Sequence, residues 1–216
     1  MREIKICGIT DKDDALFAAG CGIGALGFIF YPPSPRYVSP VKAREIIAAL
    51  PAGVAKVGVF VNHDIGEVRQ IFDFCGLDFI QLHGDETPEY CRSFPASRLI
   101  KAFFLQNDQD LEALKLYRVR AVLVDRRDAG RYGGTGKMAN WELALKVKAV
   151  QKLILSGGLG EDNIAGALSL VSPPAVDLNS GVETAPGRKD RDKIRRIVHI
   201  IRSMDDGAGN GEIFSR

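Results

Sequence analysis

The sequence predicts a single-domain α/β protein of the (β/α)8, or TIM-barrel, class. Three observations carry this. Short apolar runs recur with helical patterns between them, in strict alternation and eight times over. Alternation of that kind demands βαβ crossovers and a parallel sheet, and eight units close a barrel. The runs also lack a polar period of two: Leu153-Ile154-Leu155 leads straight into Ser156-Gly157-Gly158, as a strand buried on both faces does. Finally, Val176-Asp177-Leu178 meets Asn179-Ser180-Gly181, so two successive strands end in glycine-bearing turns. Glycines let backbone N–H groups turn toward an anion. The pair resembles the phosphate grip after strands 7 and 8 of such barrels. Two ordinary strand-to-helix turns are the plainer reading.

Taken in order, the first strand is Ile4–Cys7, and Thr10 with Asp11 offers an N-cap for a helix over Lys12–Ala19. Gly24–Ile29 is the second strand. The loop after it, Y-P-P-S-P-R-Y-V-S-P, holds four prolines, which exclude both helix and central strand. A helix over Val41–Leu50 precedes the third strand, Ala55–Val61, and Asp64 caps a helix running through Phe74. The fourth strand is Phe79–Leu82, followed by a short helix over Glu86–Arg92; the fifth is Leu99–Phe104, with a helix starting at Asn107 or Asp108. Ala121–Val124 is the sixth. A long glycine-rich loop, Asp125–Gly136, carries Gly133, Gly134 and Gly136 before Asn140 caps the next helix. After the seventh strand a helix is expected from about Asp162 to Leu170. Asp190 caps the last helix, where Ile194, Ile197, Val198 and Ile201 form one apolar stripe. No linker divides the chain, so residues 1–203 are expected to form the barrel and 204–216, polar and glycine-rich, a disordered tail.

Composition narrows the function. With 216 residues, 46% of them apolar, the chain can bury one large core. The formal net charge is only +2 and no basic face stands out, so nucleic acid and anionic membranes are poor partners. Cys7, Cys21, Cys75 and Cys91 show no metal-ligand spacing and read as reduced thiols of an intracellular protein. The start, M-R-E-I-K-I-C-G, has no apolar leader, and no run reaches membrane-spanning length. A cytoplasmic protein binding a small phosphorylated molecule, without metal or cofactor, as a monomer or homodimer, is the expectation.

In such barrels the active site lies at the C-terminal ends of the strands. That rule gathers Cys7 after strand 1, Arg36 in the second loop, His83 after strand 4 and Asp125 after strand 6 into one ring. Strands 1 and 6 are three steps apart through 7 and 8, so a phosphate-bearing substrate would sit between a thiol and a carboxyl group. Each residue has a plainer reading: a buried structural cysteine, a turn-capping aspartate, a solvated loop arginine, a satisfied core histidine.

Together the motifs carry a resemblance. K-I-C-G-I-T, S-P-R-Y, V-G-V-F-V-N, Q-L-H-G-D-E, K-A-F, V-D followed by G-G-T-G-K, L-S-G-G-L and L-N-S-G-V-E-T-A-P-G-R-K-D run in order over residues 3–190. The set resembles the phosphoribosylanthranilate isomerase family. The resemblance implies a cofactor-free Amadori rearrangement in tryptophan biosynthesis, with Cys7 as general base and Asp125 as general acid. It implies Arg36 on the anthranilate carboxylate, His83 and Asp177 as further substrate-binding residues, and Gly157, Gly158, Ser180 and Gly181 on the phosphate. The ordinary pKa values of thiol and carboxyl are the wrong way round for those roles, so N–H dipoles are expected to lower Cys7 and desolvation to raise Asp125. Three places depart from the family pattern: Arg126-Arg127 follow the acid where a small residue is expected, Asn179 replaces a serine-like residue, and Ala139-Asn140-Trp141 replaces Phe-Asp-Trp. Strand alternation should turn Arg126 away from the site. Two other readings stay open: another phosphosugar barrel enzyme, such as indole-glycerol-phosphate synthase or a pentose-phosphate epimerase, and a non-enzymatic phosphate-ligand binding protein.

Overall fold

The computed structural model describes residues 1–126, 141–205 and 213–215. Eight parallel strands close in sequence order: β1 (Glu3–Ile6), β2 (Ala25–Ile29), β3 (Ala55–Phe60), β4 (Phe79–Leu82), β5 (Leu99–Phe103), β6 (Ala121–Val124), β7 (Leu153–Leu155) and β8 (Ala175–Leu178). β8 pairs with β1, placing Lys5 opposite Asp177 and Ile6 opposite Leu178. Around them lie α1 (Lys12–Gly20), α2 (Pro40–Ala48), α3 (Ile65–Cys75), α4 (Pro88–Cys91), α5 (Gln109–Leu114), α6 (Trp141–Lys148), α7 (Ile164–Val171) and α8 (Arg191–Ser203). The family of folds expected from the alternation is therefore the one observed.

Local chemistry sets most boundaries. Asp11, Ser39, Asp64 and Asp190 accept hydrogen bonds from first-turn N–H groups of α1, α2, α3 and α8, which otherwise lack partners. On α8 the four stripe residues Ile194, Ile197, Val198 and Ile201 are the buried ones. Strand residues alternate between two cores. Ile4 and Ile6 of β1 face the helices, whereas Lys5 and Cys7 share the other face, inside the barrel.

Three local expectations are corrected, and one element was not expected. The helix expected over Glu86–Arg92 is only α4, capped by Thr87. Glu86 turns inward instead, 3.0 Å from the buried Lys101 ammonium and accepting from the Gly84 N–H. A buried lysine needs that counter-charge more than a helix needs one more turn. The helix after β7 starts at Ile164 rather than Asp162, because Asn163 uses its side chain to brace the preceding turn. An antiparallel hairpin follows β8 with no expectation behind it: β9 (Glu183–Ala185) and β10 (Arg188–Lys189).

The tail is the third correction. Residues 213–215 do not hang free. Ile213 and Phe214 are buried in the apolar floor of the barrel with Val57, Phe79, Ile100 and Leu123, and the Phe79 and Phe214 rings meet edge to face. Glu3 accepts from both their N–H groups at 2.8 and 2.9 Å, and the Arg120 guanidinium donates to the Ser215 carbonyl at 2.6 Å. Polar composition concealed one apolar pair that has a socket to enter. Among the described residues, no helix is long and apolar enough to cross a membrane.

Candidate active site

The C-terminal ends of the strands open into a cavity of about 440 Å³. Cys7, Arg36, His83, Asp125, Asp177 and Ser180 all line it, together with the Gly157-Gly158 turn. The ring of candidates drawn from the sequence is thus one site. Gly133, Gly134 and Gly136 of the sixth loop, Arg127 and the Asn140 cap lie outside the described residues.

The Cys7 thiol is buried and free of any disulfide. Behind it the Lys5 ammonium, wholly buried, meets Asp177 Oδ2 at 2.7 Å. The Lys5–Asp177 register across β1 and β8 dictates the pair. Burial opposes a charged Lys5, but the Asp177 carboxylate and then Cys7 outweigh it and hold its pKa above the ordinary lysine value. Burial pushes the Cys7 thiol up; Lys5 is the strongest influence in the other direction, with Lys189 adding to it. The expectation that N–H dipoles lower Cys7 is therefore corrected twice. In the free protein the thiol sits above its ordinary value, and the groups that draw it down are lysine side chains.

On the opposite side, Asp125 is buried and accepts from two donors. The Arg126 N–H reaches Oδ1 at 2.7 Å, and His83 Nε2 lies 3.2 Å from Oδ2. Gln81 Nε2 is 2.9 Å from His83 Nδ1. An amide donor on Nδ1 leaves the ring proton on Nε2, facing Asp125. The Arg126 residue itself is exposed, as alternation along the strand predicts.

Arg36 departs from the plain surface reading. It is buried, and Glu183 grips its Nε and Nη2 edge at 2.7 to 3.0 Å. Glu183 also holds the Lys189 ammonium at 2.7 Å. Burial disfavours the Glu183 carboxylate, yet Arg36 and Lys189 outweigh that and keep its pKa below the usual value. Among the described residues Arg36 Nη1 has no hydrogen-bond partner, and the guanidinium's outer edge faces the cavity. A planar carboxylate fits such an edge through two N–H groups.

The two glycine turns meet. Gly157 and Gly158 have φ of 88° and 68°, a region where side chains are strained. At Gly181 a Cβ would strike the Leu159 carbonyl and come within 2.9 Å of Gly160 Cα, so only glycine lets the second turn close on the first. Among the described residues the N–H groups of Gly157, Gly158 and Ser180 have no acceptor. N–H groups converging at such turns bind anions.

Comparison with known proteins decides the family. The description "N-(5'phosphoribosyl)anthranilate (PRA) isomerase" matches residues 4–200. This chain belongs to the N-(5'-phosphoribosyl)anthranilate isomerase family. It is an isomerase of tryptophan biosynthesis. It is 54% identical over 202 residues to the isomerase of Syntrophus aciditrophicus, covering 94% of this chain and 88% of that one. Against the Geobacter sp. M21 isomerase it is 47% identical over 198 residues, covering 92% and 97%. The solved isomerase of Thermotoga maritima superposes with a TM-score of 0.86 at 42% identity, covering 94% of this chain and all of that one. A second structure of the family, in complex with reduced 1-(o-carboxyphenylamino)-1-deoxyribulose 5-phosphate, gives 0.82 at 40%.

Within this isomerase fold, three site residues escaped the reading of the sequence: Lys5, Gln81 and Glu183. Each sits inside a quoted motif, K-I-C, Q-L-H and G-V-E, two residues from a named candidate or on the hairpin behind it. For Lys5 and Gln81 the signal was available: a polar residue two places before a site residue on the same strand points the same way.

Proposed function

We propose that this chain converts N-(5'-phosphoribosyl)anthranilate to 1-(o-carboxyphenylamino)-1-deoxyribulose 5-phosphate by an Amadori rearrangement, with Asp125 as general acid and Cys7 as general base. What carries the reading is one cavity lined by a thiol, a carboxyl group, an oriented arginine and two apposed glycine turns. The turns take the phosphate through their N–H groups, and the outer edge of Arg36 takes the anthranilate carboxylate. Asp177 Oδ1, buried and without a partner among the described residues, is available to a ribose hydroxyl.

Chemistry follows in three steps. Asp125 protonates the furanose ring oxygen as its bond to C1 breaks, and the anthranilate nitrogen lone pair forms the iminium. Cys7 then removes the C2 proton, and that electron pair quenches the iminium to give an enolamine. In the last step C1 gains a proton while the C2 hydroxyl loses one, leaving the ketone. His83, 3.2 Å from Asp125 Oδ2, is the group through which the proton that Asp125 gives up can be restored. Proton transfers of this kind contribute about 10²–10⁴-fold each.

A turnover assay tests this. Anthranilate and phosphoribosyl pyrophosphate, supplied with excess phosphoribosyltransferase, generate the substrate in place; once that step has levelled off, a further fluorescence decay on adding this chain reports isomerase turnover. Absence of any decay above the uncatalysed rate would return the chain to another phosphosugar reaction or to a ligand-binding role.

A further inference from the structure

Lys5 is the one fully buried cation on the strand that carries Cys7, and the reaction as written gives it nothing to do. It lies two residues before the thiol, on the same inward face. Gly27 on β2 shows how tightly the two are packed: a single Cβ there would come within 2.7 Å of Cys7 Sγ and 3.1 Å of Lys5 Cε. Both groups therefore crowd one glycine-sized space. Asp177, across the β1–β8 register, anchors that ammonium at 2.7 Å.

We propose that Lys5, clamped by Asp177, is a positioning residue that stabilises the thiolate form of Cys7. The inference rests on the reading of Cys7 as the base, and it concerns how a thiol with no neighbouring histidine becomes one. A buried thiol is a poor base because burial disfavours its anion. An ammonium beside it favours that anion, provided the ammonium cannot lose its own proton. Asp177 supplies that condition, since a buried lysine with a carboxylate partner stays charged. Among the described residues the other charges around the thiol are few. β2 contributes no charge, only Gly27 and Ile29; β8 contributes Asp177, which opposes the thiolate; the hairpin contributes Lys189, already engaged by Glu183. Arg36 approaches over Gly8 and is likewise paired with Glu183. His83 and Asp125 line the cavity from β4 and β6.

The test reads the thiolate directly, without turnover. The rate of iodoacetamide alkylation at Cys7, followed by peptide mass spectrometry from pH 6 to 10, reports the thiolate fraction. Lys5→Met should move the inflection up by about one unit or more and slow alkylation at pH 8 by about tenfold. Because Lys5→Met leaves Asp177 alone in the interior, it risks misfolding. The double variant Lys5→Met/Asp177→Asn removes both charges, and it should still show the upward move, since Lys5 is the stronger influence on the sulfur. A folded variant with the wild-type alkylation profile would overturn the proposal. Whether Cys7 is the base is decided separately, by the turnover of Cys7→Ser, so the two failures are distinguishable.

Discussion

The two ends of the barrel are built from the same eight strands and treat polar groups in opposite ways. At the floor, Val57, Phe79, Ile100, Leu123 and Ile154 close an apolar layer, and Ile213 with Phe214 enter it from outside. The polar groups there, Glu3 and Arg120, are satisfied by the backbone of the incoming tail. At the mouth, the inward positions become Cys7, Gln81, His83, Asp125 and Asp177, and several hydrogen-bonding groups face the cavity without a partner among the described residues. Packing completes one end. The other is left for a ligand to complete, and that unfinished state is the physical mark of a site.

If that contrast is right, changes at the mouth should alter kinetics more than stability, and changes at the floor should do the reverse. The largest effect is expected from Cys7→Ser and Asp125→Asn. Each should cut kcat by about 10²-fold or more, with little change in KM or Tm. A near-native kcat in either variant removes that residue from the mechanism.

Next comes Arg36→Met, which would delete the charge-assisted pair proposed for the anthranilate carboxylate. Losing such a pair raises KM by about 1.5–3 kcal/mol, or roughly 10- to 150-fold, with kcat changed far less. An unchanged KM would assign the buried guanidinium to Glu183 alone.

The glycine turns sharpen the comparison further, because the phosphate grip proposed for them acts through main chain. Gly158→Val forces a β-branched residue to φ of 68°, a strain of about 1–3 kcal/mol. It should raise KM about tenfold, and inorganic phosphate should lose its competitive inhibition. Ser180→Ala keeps the N–H and should retain a KM close to wild type. Equal damage from both would mean that the serine side chain, not the backbone, holds the anion.

The smallest effect on activity belongs to the floor. Deleting residues 206–216 exposes the socket of Ile213 and Phe214. Against the ordering entropy of the tail, a net loss of about 2 kcal/mol is expected, or about 4–8 °C in Tm by calorimetry. KM and kcat should not move. A truncated chain with unchanged Tm would show that the plug contributes no stability.

Much of this protein was legible in its sequence. Eight apolar runs alternating with helical patterns specified a closed parallel barrel, because buried parallel strands tolerate no polar face and crossovers demand helices. The rule that strand ends carry chemistry then brought Cys7, Arg36, His83 and Asp125 together, and N-caps such as Asp64 and Asp190 were local enough to read directly. What the sequence left undetermined depends on partners distant along the chain. Glu86 left its helix for Lys101, and Arg36 is oriented by Glu183, 147 residues away. Lys5 meets Asp177 only because β8 closes against β1 in one register. Ile213 and Phe214 read as part of a polar tail until a barrel floor exists to receive them. Periodicity and capping act over a few residues and so are written in one dimension; the pairing of buried charges and the filling of a socket are decided only when the ring closes.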